Sequence, residues 1–133
     1  MKHLLWIFLI LIFSIKIDAQ NLDGYWGYRI NGKKITLYGD KIENLNSGGS
    51  SGTLKVALYA SDYPYNGGTL NGYKLYEITL DPLSGGYYYD DISKTGYCSY
   101  PPSGSYYMTI VLLEYNYNYE IIDYISLDGY TRF

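Results

Sequence analysis

The stretch YYMTIVLLEY, from Tyr106 to Tyr115, decides the fold. It is almost continuous in apolar and aromatic residues, and it carries the β-branched residues Thr109, Ile110 and Val111 at its centre. Such a segment is typical of a strand in the middle of a sheet, where neighbouring strands and side chains cover both faces. The sequence therefore predicts a central strand over residues 105–115.

Two further segments show the pattern of strands that would flank it. In Thr53–Ala60 the apolar residues alternate, which places Leu54, Val56, Leu58 and Ala60 on one face. In 117–127 the alternation places Ile121, Ile125 and Leu127 together, with Asp123 among them. A carboxylate on an apolar face needs either a sheet edge or a hydrogen-bonding partner such as a tyrosine hydroxyl. Both interpretations of Asp123 remain open at this point.

Turn residues divide the remainder of the chain into short strands. Asn31-Gly32 is a strong hairpin signal, Tyr38-Gly39-Asp40 is read as a second tight turn, and Ser47–Gly52 (SGGSSG) is a flexible loop. The predicted strands are 24–30, 33–38, 41–45, 52–60, 72–80, 86–91, 105–115 and 117–127, with a short pairing at 129–133. We expect an all-β fold, a two-sheet antiparallel β-sandwich of immunoglobulin-like type.

The first residues predict export. A basic start at Met1-Lys2-His3 precedes an apolar run from Leu4 to Ile15, and Ala19 offers a small residue for cleavage. We expect residues 1–19 to be a secretory signal peptide and residues 20–133 to form a single domain, secreted or periplasmic or in the cell envelope. The apolar run is shorter than the roughly 20 residues of a membrane-spanning helix, so no membrane span is expected after cleavage.

Charge and composition narrow the function. Without Lys2, Lys16 and Asp18, the 10 basic and 13 acidic residues become eight and twelve, a net charge of −4 with no basic cluster. This argues against nucleic acid as a partner. The only histidine, His3, lies in the predicted signal. The mature chain therefore lacks an imidazole base, and with Cys98 as its single cysteine it cannot build a histidine–cysteine zinc site. We expect no enzyme activity and no cofactor.

Four segments carry a resemblance: Ile42–Ala60 (IENLNSGGSSGTLKVALYA), Pro64–Gly68 (PYNGG), Pro101–Tyr107 (PPSGSYY) and Leu113-Glu114-Tyr115. In them the chain resembles small immunoglobulin-like β-sandwich modules of secreted bacterial proteins. Some of these modules are appended to exported peptidases or other extracellular enzymes. The resemblance spans roughly residues 40–127 and is carried mainly by turn and strand-edge residues. It implies a binding or accessory role and brings no catalytic residue to this chain.

Carboxylates could still carry chemistry. Glu114 and Glu120 flank the turn at Asn116–Asn118 and are expected on facing strands, where a pair of acids is what a carboxylate-dependent hydrolase requires. Asp90 and Asp91 are candidates for calcium, although the spacing of a calcium-binding loop is missing. The alternative for all four is a solvated or hydrogen-bonded carboxylate, which we prefer.

Tyrosine is the best positive candidate for function, since all 20 tyrosines lie after the predicted signal. Exposed tyrosines on a rigid sheet can stack on sugar rings or anchor a protein partner. The alternative is that their rings pack on each other within the sandwich. The candidate ligand-binding residues are Tyr63, Tyr65, Tyr87, Tyr88, Tyr89, Tyr97 and Tyr100. Their expected partner is an extracellular protein or a glycan, and a structural subunit of an extracellular assembly is the competing hypothesis. Oligomeric state cannot be derived from the sequence.

Overall fold

The computed structural model describes residues 20–133, so the predicted signal peptide at 1–19 lies outside the described residues. Eight β-strands make up the described range, which contains no helix of the length and apolarity needed to cross a membrane. The strands are β1 (Gln20–Asn31), β2 (Lys34–Asn44), β3 (Leu54–Ser61), β4 (Tyr73–Leu80), β5 (Tyr88–Tyr97), β6 (Ser105–Asn116), β7 (Asn118–Ser126) and β8 (Thr131–Arg132). The all-β prediction is confirmed.

The strands form two antiparallel sheets that pack on each other. The first sheet has the order β1-β2-β5, and the second has the order β4-β3-β6-β7, with β8 pairing to the first residues of β6. This order gathers connections at two ends of the sandwich. The hairpin end holds the β1–β2 turn and the segments 62–72, 98–104 and 127–130, and the far end holds 45–53, 81–87 and the β6–β7 turn.

The core lies between the two sheets and confirms the central role of β6. Met108, Ile110 and Leu112 point into it from β6 and are buried. All four alternating residues of β3 named in the sequence are fully buried and face the same core. From the first sheet come Trp26, Ile35, Leu37, Ile42 and Ile92. Burial of these apolar side chains provides the main driving force for the sandwich.

The expected turn at Tyr38-Gly39-Asp40 is wrong, because β2 runs straight through it from Lys34 to Asn44. Gly39 lies directly opposite Trp26 of β1, and the indole ring covers the space that a side chain at residue 39 would occupy. The glycine is therefore required for packing and not for a change of chain direction. By contrast, the hairpin expected at Asn31-Gly32 is confirmed, although its turn residues are Gly32 and Lys33, because Asn31 still pairs with Lys34 and only Gly32 of the predicted pair has a positive φ, of +60°.

Asp123 connects the two sheets through a hydrogen bond. β7 is the outer strand of its sheet, and the Asp123 carboxylate accepts a hydrogen bond of 2.7 Å from the backbone N–H of Leu22 in β1. The expected position at a sheet edge is thus confirmed, and the hydrogen-bonding partner is a backbone amide and not a tyrosine. The simple alternation expected for β7 fails beside it, because a register shift opposite Leu112 and Leu113 brings Ile122 against the core together with Ile125 and Leu127.

Candidate functional site

Tyrosines and cations cluster on the solvent-facing side of the β1-β2-β5 sheet. We call this surface the outer tyrosine face. Its members are Tyr25, Arg29, Lys34, Tyr38, Lys41, Tyr88 and Tyr97. They share one side of the sheet because they alternate with core residues such as Ile35, Leu37 and Ile42, whose side chains point inward.

Tyr38 occupies the middle of this face, and Gly27 allows it to lie flat. The two residues are cross-strand partners in β1 and β2. A Cβ atom at residue 27 would lie 2.7 Å from the Tyr38 hydroxyl and 2.9 Å from its Cζ atom, so the ring covers the glycine. Any larger residue at 27 would force the ring off the sheet. The glycine thus creates a low, flat aromatic surface in the centre of the outer tyrosine face.

Tyr25 is placed beside Tyr38 by a bulge in β1. The register shifts between Asp23 and Trp26, with Gly24 at a φ of +74°, and Asp40 accepts a hydrogen bond of 2.7 Å from the Tyr25 backbone N–H. The bulge directs the ring toward Tyr38, with the two centroids 6.2 Å apart and the planes tilted by 31°. Tyr25 remains 67% exposed, so its ring is available to a ligand.

Three cations of this face lie over three of its tyrosine rings. The Arg29 guanidinium carbon lies 5.0 Å from the Tyr38 centroid, the Lys34 ammonium 5.7 Å from Tyr97, and the Lys41 ammonium 4.5 Å from Tyr88. Each contact is within the range of a cation–π interaction, which at exposed sites contributes about 0.5–1 kcal/mol. These contacts hold both the ring and the charged group close to the sheet surface.

Tyr38 and Lys41 are both protonated at neutral pH. Burial raises the pKa of the Tyr38 phenol, and the neighbouring Tyr25 raises it further against the opposing effect of Arg29. Its hydroxyl is therefore neutral and able to donate a hydrogen bond. A hydrogen bond to Glu43 raises the pKa of Lys41, which keeps that ammonium charged.

Two clefts border Tyr38. One has a volume of about 330 Å³ and is lined by Tyr25, Trp26, Gly27, Tyr28, Tyr38, Leu127 and Asp128. The other, about 250 Å³, is lined by Tyr38, Gly39, Asp40, Asp91, Ile92 and Ser93. Both are shallow openings on a largely flat surface. Such a shape suits a ligand that lies along the sheet better than one that enters a deep pocket.

Of the predicted tyrosines, the structure places Tyr88 and Tyr97 on the outer tyrosine face. Tyr88 lies opposite Glu43 near the far end, and Tyr97 lies opposite Lys34 at the hairpin end. Tyr88 is 56% exposed and Tyr97 75% exposed. Of the three consecutive tyrosines from Tyr87 to Tyr89, Tyr87 and Tyr88 have exposed rings.

The other predicted tyrosines lie elsewhere. Tyr89 is half-buried against the core and donates a hydrogen bond of 2.9 Å to the Asp81 carbonyl. Tyr100 donates to the Gly32 carbonyl and packs edge-on against Phe133. Tyr87 is exposed at the far end and immediately precedes the first residue of β5. The seven candidates therefore do not form one cluster.

Tyr63 and Tyr65 share the 62–72 segment but differ in burial. Tyr63 is 82% exposed, whereas Tyr65 is only 7% exposed. The Tyr65 hydroxyl donates to the Gly68 carbonyl, and its ring packs edge-on against Tyr124 with centroids 4.7 Å apart. Tyr65 thus fastens this segment to β7, and its ring is not open to a ligand. The segment encloses a cleft of about 290 Å³.

The carboxylates take structural positions. Glu114 and Glu120 are direct cross-strand partners, as expected, and Glu114 accepts a hydrogen bond of 3.1 Å from the Gly52 backbone N–H. Asp90 lies opposite Lys41, and Asp91 is exposed at a φ of +47°. Among residues 20–133, no group of three or more histidine, cysteine, aspartate or glutamate side chains is arranged to hold a metal ion. Cys98 packs against the core, and burial raises the pKa of its thiol.

Sequence reasoning missed Tyr25, Tyr38 and the cations beside them. A usable signal was present, because the two-residue turn after Asn31 fixes the register of β1 and β2. Counting back from the pair of Asn31 and Lys34 places Gly27 opposite Tyr38. The erroneous turn at residues 38–40 concealed this pair, since it ended the strand at the residue that matters.

Comparison of the chain with protein-family models, with curated proteins and with solved structures found no match. The geometry of the described residues is therefore the basis for a functional assignment.

Proposed function

We propose that this protein is a secreted, non-catalytic binding module that recognises a polysaccharide through the outer tyrosine face. The observation that carries the proposal is the flat surface around Tyr38, where a ring lying on Gly27 is bordered by the exposed Tyr25. Tyr97 and Tyr88 extend that surface toward the two ends of the sheet.

Aromatic rings on a flat sheet suit sugar rings for a physical reason. A tyrosine offers a large, rigid apolar face together with a hydroxyl, so it can cover the apolar side of a sugar and also bond to its hydroxyls. It does so with little loss of conformational entropy, because the side chain has few rotatable bonds. The sheet and the cation–π contacts fix these rings before a ligand arrives, which lowers the entropic cost of binding further.

The non-catalytic part of the proposal rests on residue chemistry. Residues 20–133 contain no histidine, and the paired Glu114 and Glu120 belong to the β6–β7 hairpin of the other sheet, away from the outer tyrosine face. Tyr38, at the centre of the face, does not act as a base at neutral pH, because burial raises the pKa of its phenol and keeps it protonated. Recognition without turnover is the function that these groups support best.

The strand order supports the proposed immunoglobulin-like type. Read in chain order, β1, β2 and β5 occupy one sheet, and β3, β6 and β7 the other, as strands A, B, E and C, F, G do in immunoglobulin domains. The fourth strand pairs with β3 here, so it joins the second sheet. The proposal also includes export through the predicted signal peptide and the resemblance to modules of secreted bacterial proteins.

A glycan array tests the proposed function with three variants and a matched control. We expect Tyr97→Ala and Tyr25→Ala to weaken binding to polysaccharides by roughly 5–30-fold each, as expected for exposed aromatic anchors worth about 1–2 kcal/mol. Tyr115→Ala is the control, because Tyr115 is a similarly exposed strand tyrosine on the other sheet. Tyr63→Ala tests the 62–72 segment. Loss of binding only in Tyr63→Ala would place the site on that segment and contradict the proposal.

The competing function is a structural subunit that assembles with its own copies. β5 favours it, because this ten-residue strand forms an open edge of its sheet. The same strand carries Asp90, Asp91 and Lys94, charges that discourage pairing between edges. We therefore place recognition first. Oligomers that grow with protein concentration in sizing experiments would favour assembly instead.

A further inference from the structure

Charge is distributed unevenly along the outer tyrosine face. In the half at the hairpin end, the strand segments 27–31, 34–38 and 93–97 contain no aspartate or glutamate, and a carboxylate borders them at Asp128, which lines the cleft beside Tyr25 and Tyr38. This half presents Arg29 and Lys34 on the outer tyrosine face. In the other half, Asp23, Asp40, Glu43 and Asp90 surround Lys41. The chain as a whole has more acidic than basic residues, so the positive charge of the hairpin half is confined to this part of the surface.

The two cations of the hairpin half are not neutralised by carboxylates. Within residues 20–133 the ion pairs involve Lys41, Lys55 and Lys74, and neither Arg29 nor Lys34 takes part in one. Arg29 and Lys34 instead lie over the rings of Tyr38 and Tyr97. Their charged groups therefore remain available to an anionic partner while the rings hold them in place.

From this arrangement we infer that the ligand is an acidic polysaccharide, whose carboxylate or sulfate groups bind Arg29 and Lys34 while its sugar rings contact the parts of Tyr38 and Tyr97 that these cations leave exposed. The inference rests on the proposed function and names the class of glycan. Arg29 and Lys34 occupy diagonal positions on adjacent strands, about 7–8 Å apart at the backbone. Arginine can bind such an anionic group through two parallel hydrogen bonds.

The spacing of the rings requires a chain of sugars. Tyr38 lies opposite Ser93, four residues before Tyr97 on β5, which separates the two rings by about 13 Å along the strand direction. A monosaccharide cannot contact both. The ligand class is thus a linear acidic oligosaccharide or polysaccharide that lies along the sheet, and hydroxyls of Thr36 and Thr95, 2.7 Å from each other, line the path between the rings.

The test compares polygalacturonate with its methyl-esterified form by isothermal titration calorimetry. The two share their sugar rings, but only the first is charged. We expect the acidic form to bind at least about tenfold more tightly, and the double variant Arg29→Gln/Lys34→Gln to remove most of that difference. Because exposed charges are screened, binding should also weaken as salt rises from about 0.05 to 0.5 M. Lys74→Gln, a variant of an exposed lysine on the other sheet, is the control and should change nothing.

Four results would overturn the inference, and they differ in whether the proposed function survives. Equal affinity for both forms, lost in Tyr97→Ala, would retain the proposed function and refute the acidic class. Equal or tighter binding of a single-stranded oligothymidylate of matched charge would show a general preference for polyanions. Absence of binding to both pectins, together with binding of a neutral glycan on the array, would exclude acidic glycans. A protein that binds no glycan at all would refute the proposed function itself.

Discussion

Replacement of Gly39 by alanine tests whether β2 is built around its contact with Trp26. A Cβ atom at residue 39 would meet three atoms of the indole ring, Cδ2, Cε3 and Cε2, at distances well under 3.0 Å, which real Cβ atoms essentially never show. Trp26 cannot simply move aside, because it is buried and belongs to the core cluster.

The magnitude follows from overpacking in a dense core. Forcing an extra methyl group into such a site costs about 1–3 kcal/mol, and here the clash involves a rigid ring, so we expect the upper part of that range. For a domain of this size each kcal/mol lowers Tm by about 4 °C or more. Gly39→Ala should therefore unfold about 8–12 °C below the unsubstituted protein.

The assay is thermal unfolding followed by circular dichroism, with Gly48→Ala as the control. Gly48 has free space around it and no positive φ, so its replacement should be neutral or stabilise by up to about 1 kcal/mol. Combining Gly39→Ala with Trp26→Leu should recover part of the loss, since the second change removes the ring that causes it. A Gly39→Ala protein as stable as the control would refute this account of β2.

Three further predictions concern stability. Asn44→Ala should cost about 2–4 kcal/mol in urea unfolding, because the buried amide donates to the Leu83 carbonyl and accepts from the Asn46 N–H, and both groups would lose their partner; unchanged stability would contradict this. Leu112→Ala should cost about 2–5 kcal/mol in the same assay, as a fully buried side chain of the central strand, and a loss under 1 kcal/mol would argue against the packing of β6. Burial raises the pKa of Glu77, but hydrogen bonds from Lys55 and Lys74 outweigh it and lower the pKa below the ordinary 4.5. Since this stabilisation is present above the unfolded pKa and is lost as the pH falls through the folded pKa, Glu77→Gln should cost about 0.5–1 kcal/mol at pH 7, and the difference should vanish in thermal melts well below pH 4.5. A pH-independent difference would contradict it.

The class of fold was predictable because strand patterns are local. The apolar run from Tyr106 to Tyr115 and the alternation in Thr53–Ala60 indicate buried strands without knowledge of their partners. The hairpin at Asn31-Gly32 was predictable for the same reason. Each of these features depends on residues that are close in the sequence.

The features that the sequence did not predict depend on contacts between strands. Gly39 looks like a turn residue until Trp26 is placed opposite it, and Asp123 looks misplaced until β1 supplies the Leu22 amide. Tyr65 illustrates the same limit at the candidate site. Its ring is buried because Tyr124, 59 residues away along the chain, lies beneath it. Loop position alone therefore did not distinguish an exposed tyrosine from a packed one.

The candidate site was only half predictable. Tyr88 and Tyr97 were among the candidate tyrosines, but the predicted strand 86–91 ended before Tyr97, which lies in β5. The face that the two residues share depends on the register of three strands. That register brings Arg29 and Lys34 over the rings of Tyr38 and Tyr97. A cation–π contact between strands leaves no local pattern in the sequence.

Chemical-shift mapping by ¹H–¹⁵N NMR tests the central claim most directly. The labelled protein is titrated with the oligosaccharide that binds most tightly on the array. We predict that the largest amide shifts fall on β1, β2 and β5, centred on Tyr25, Arg29, Tyr38 and Tyr97. Shifts centred on the 62–72 segment or on the β6–β7 hairpin, with β2 unchanged, would contradict the assignment of glycan recognition to the outer tyrosine face.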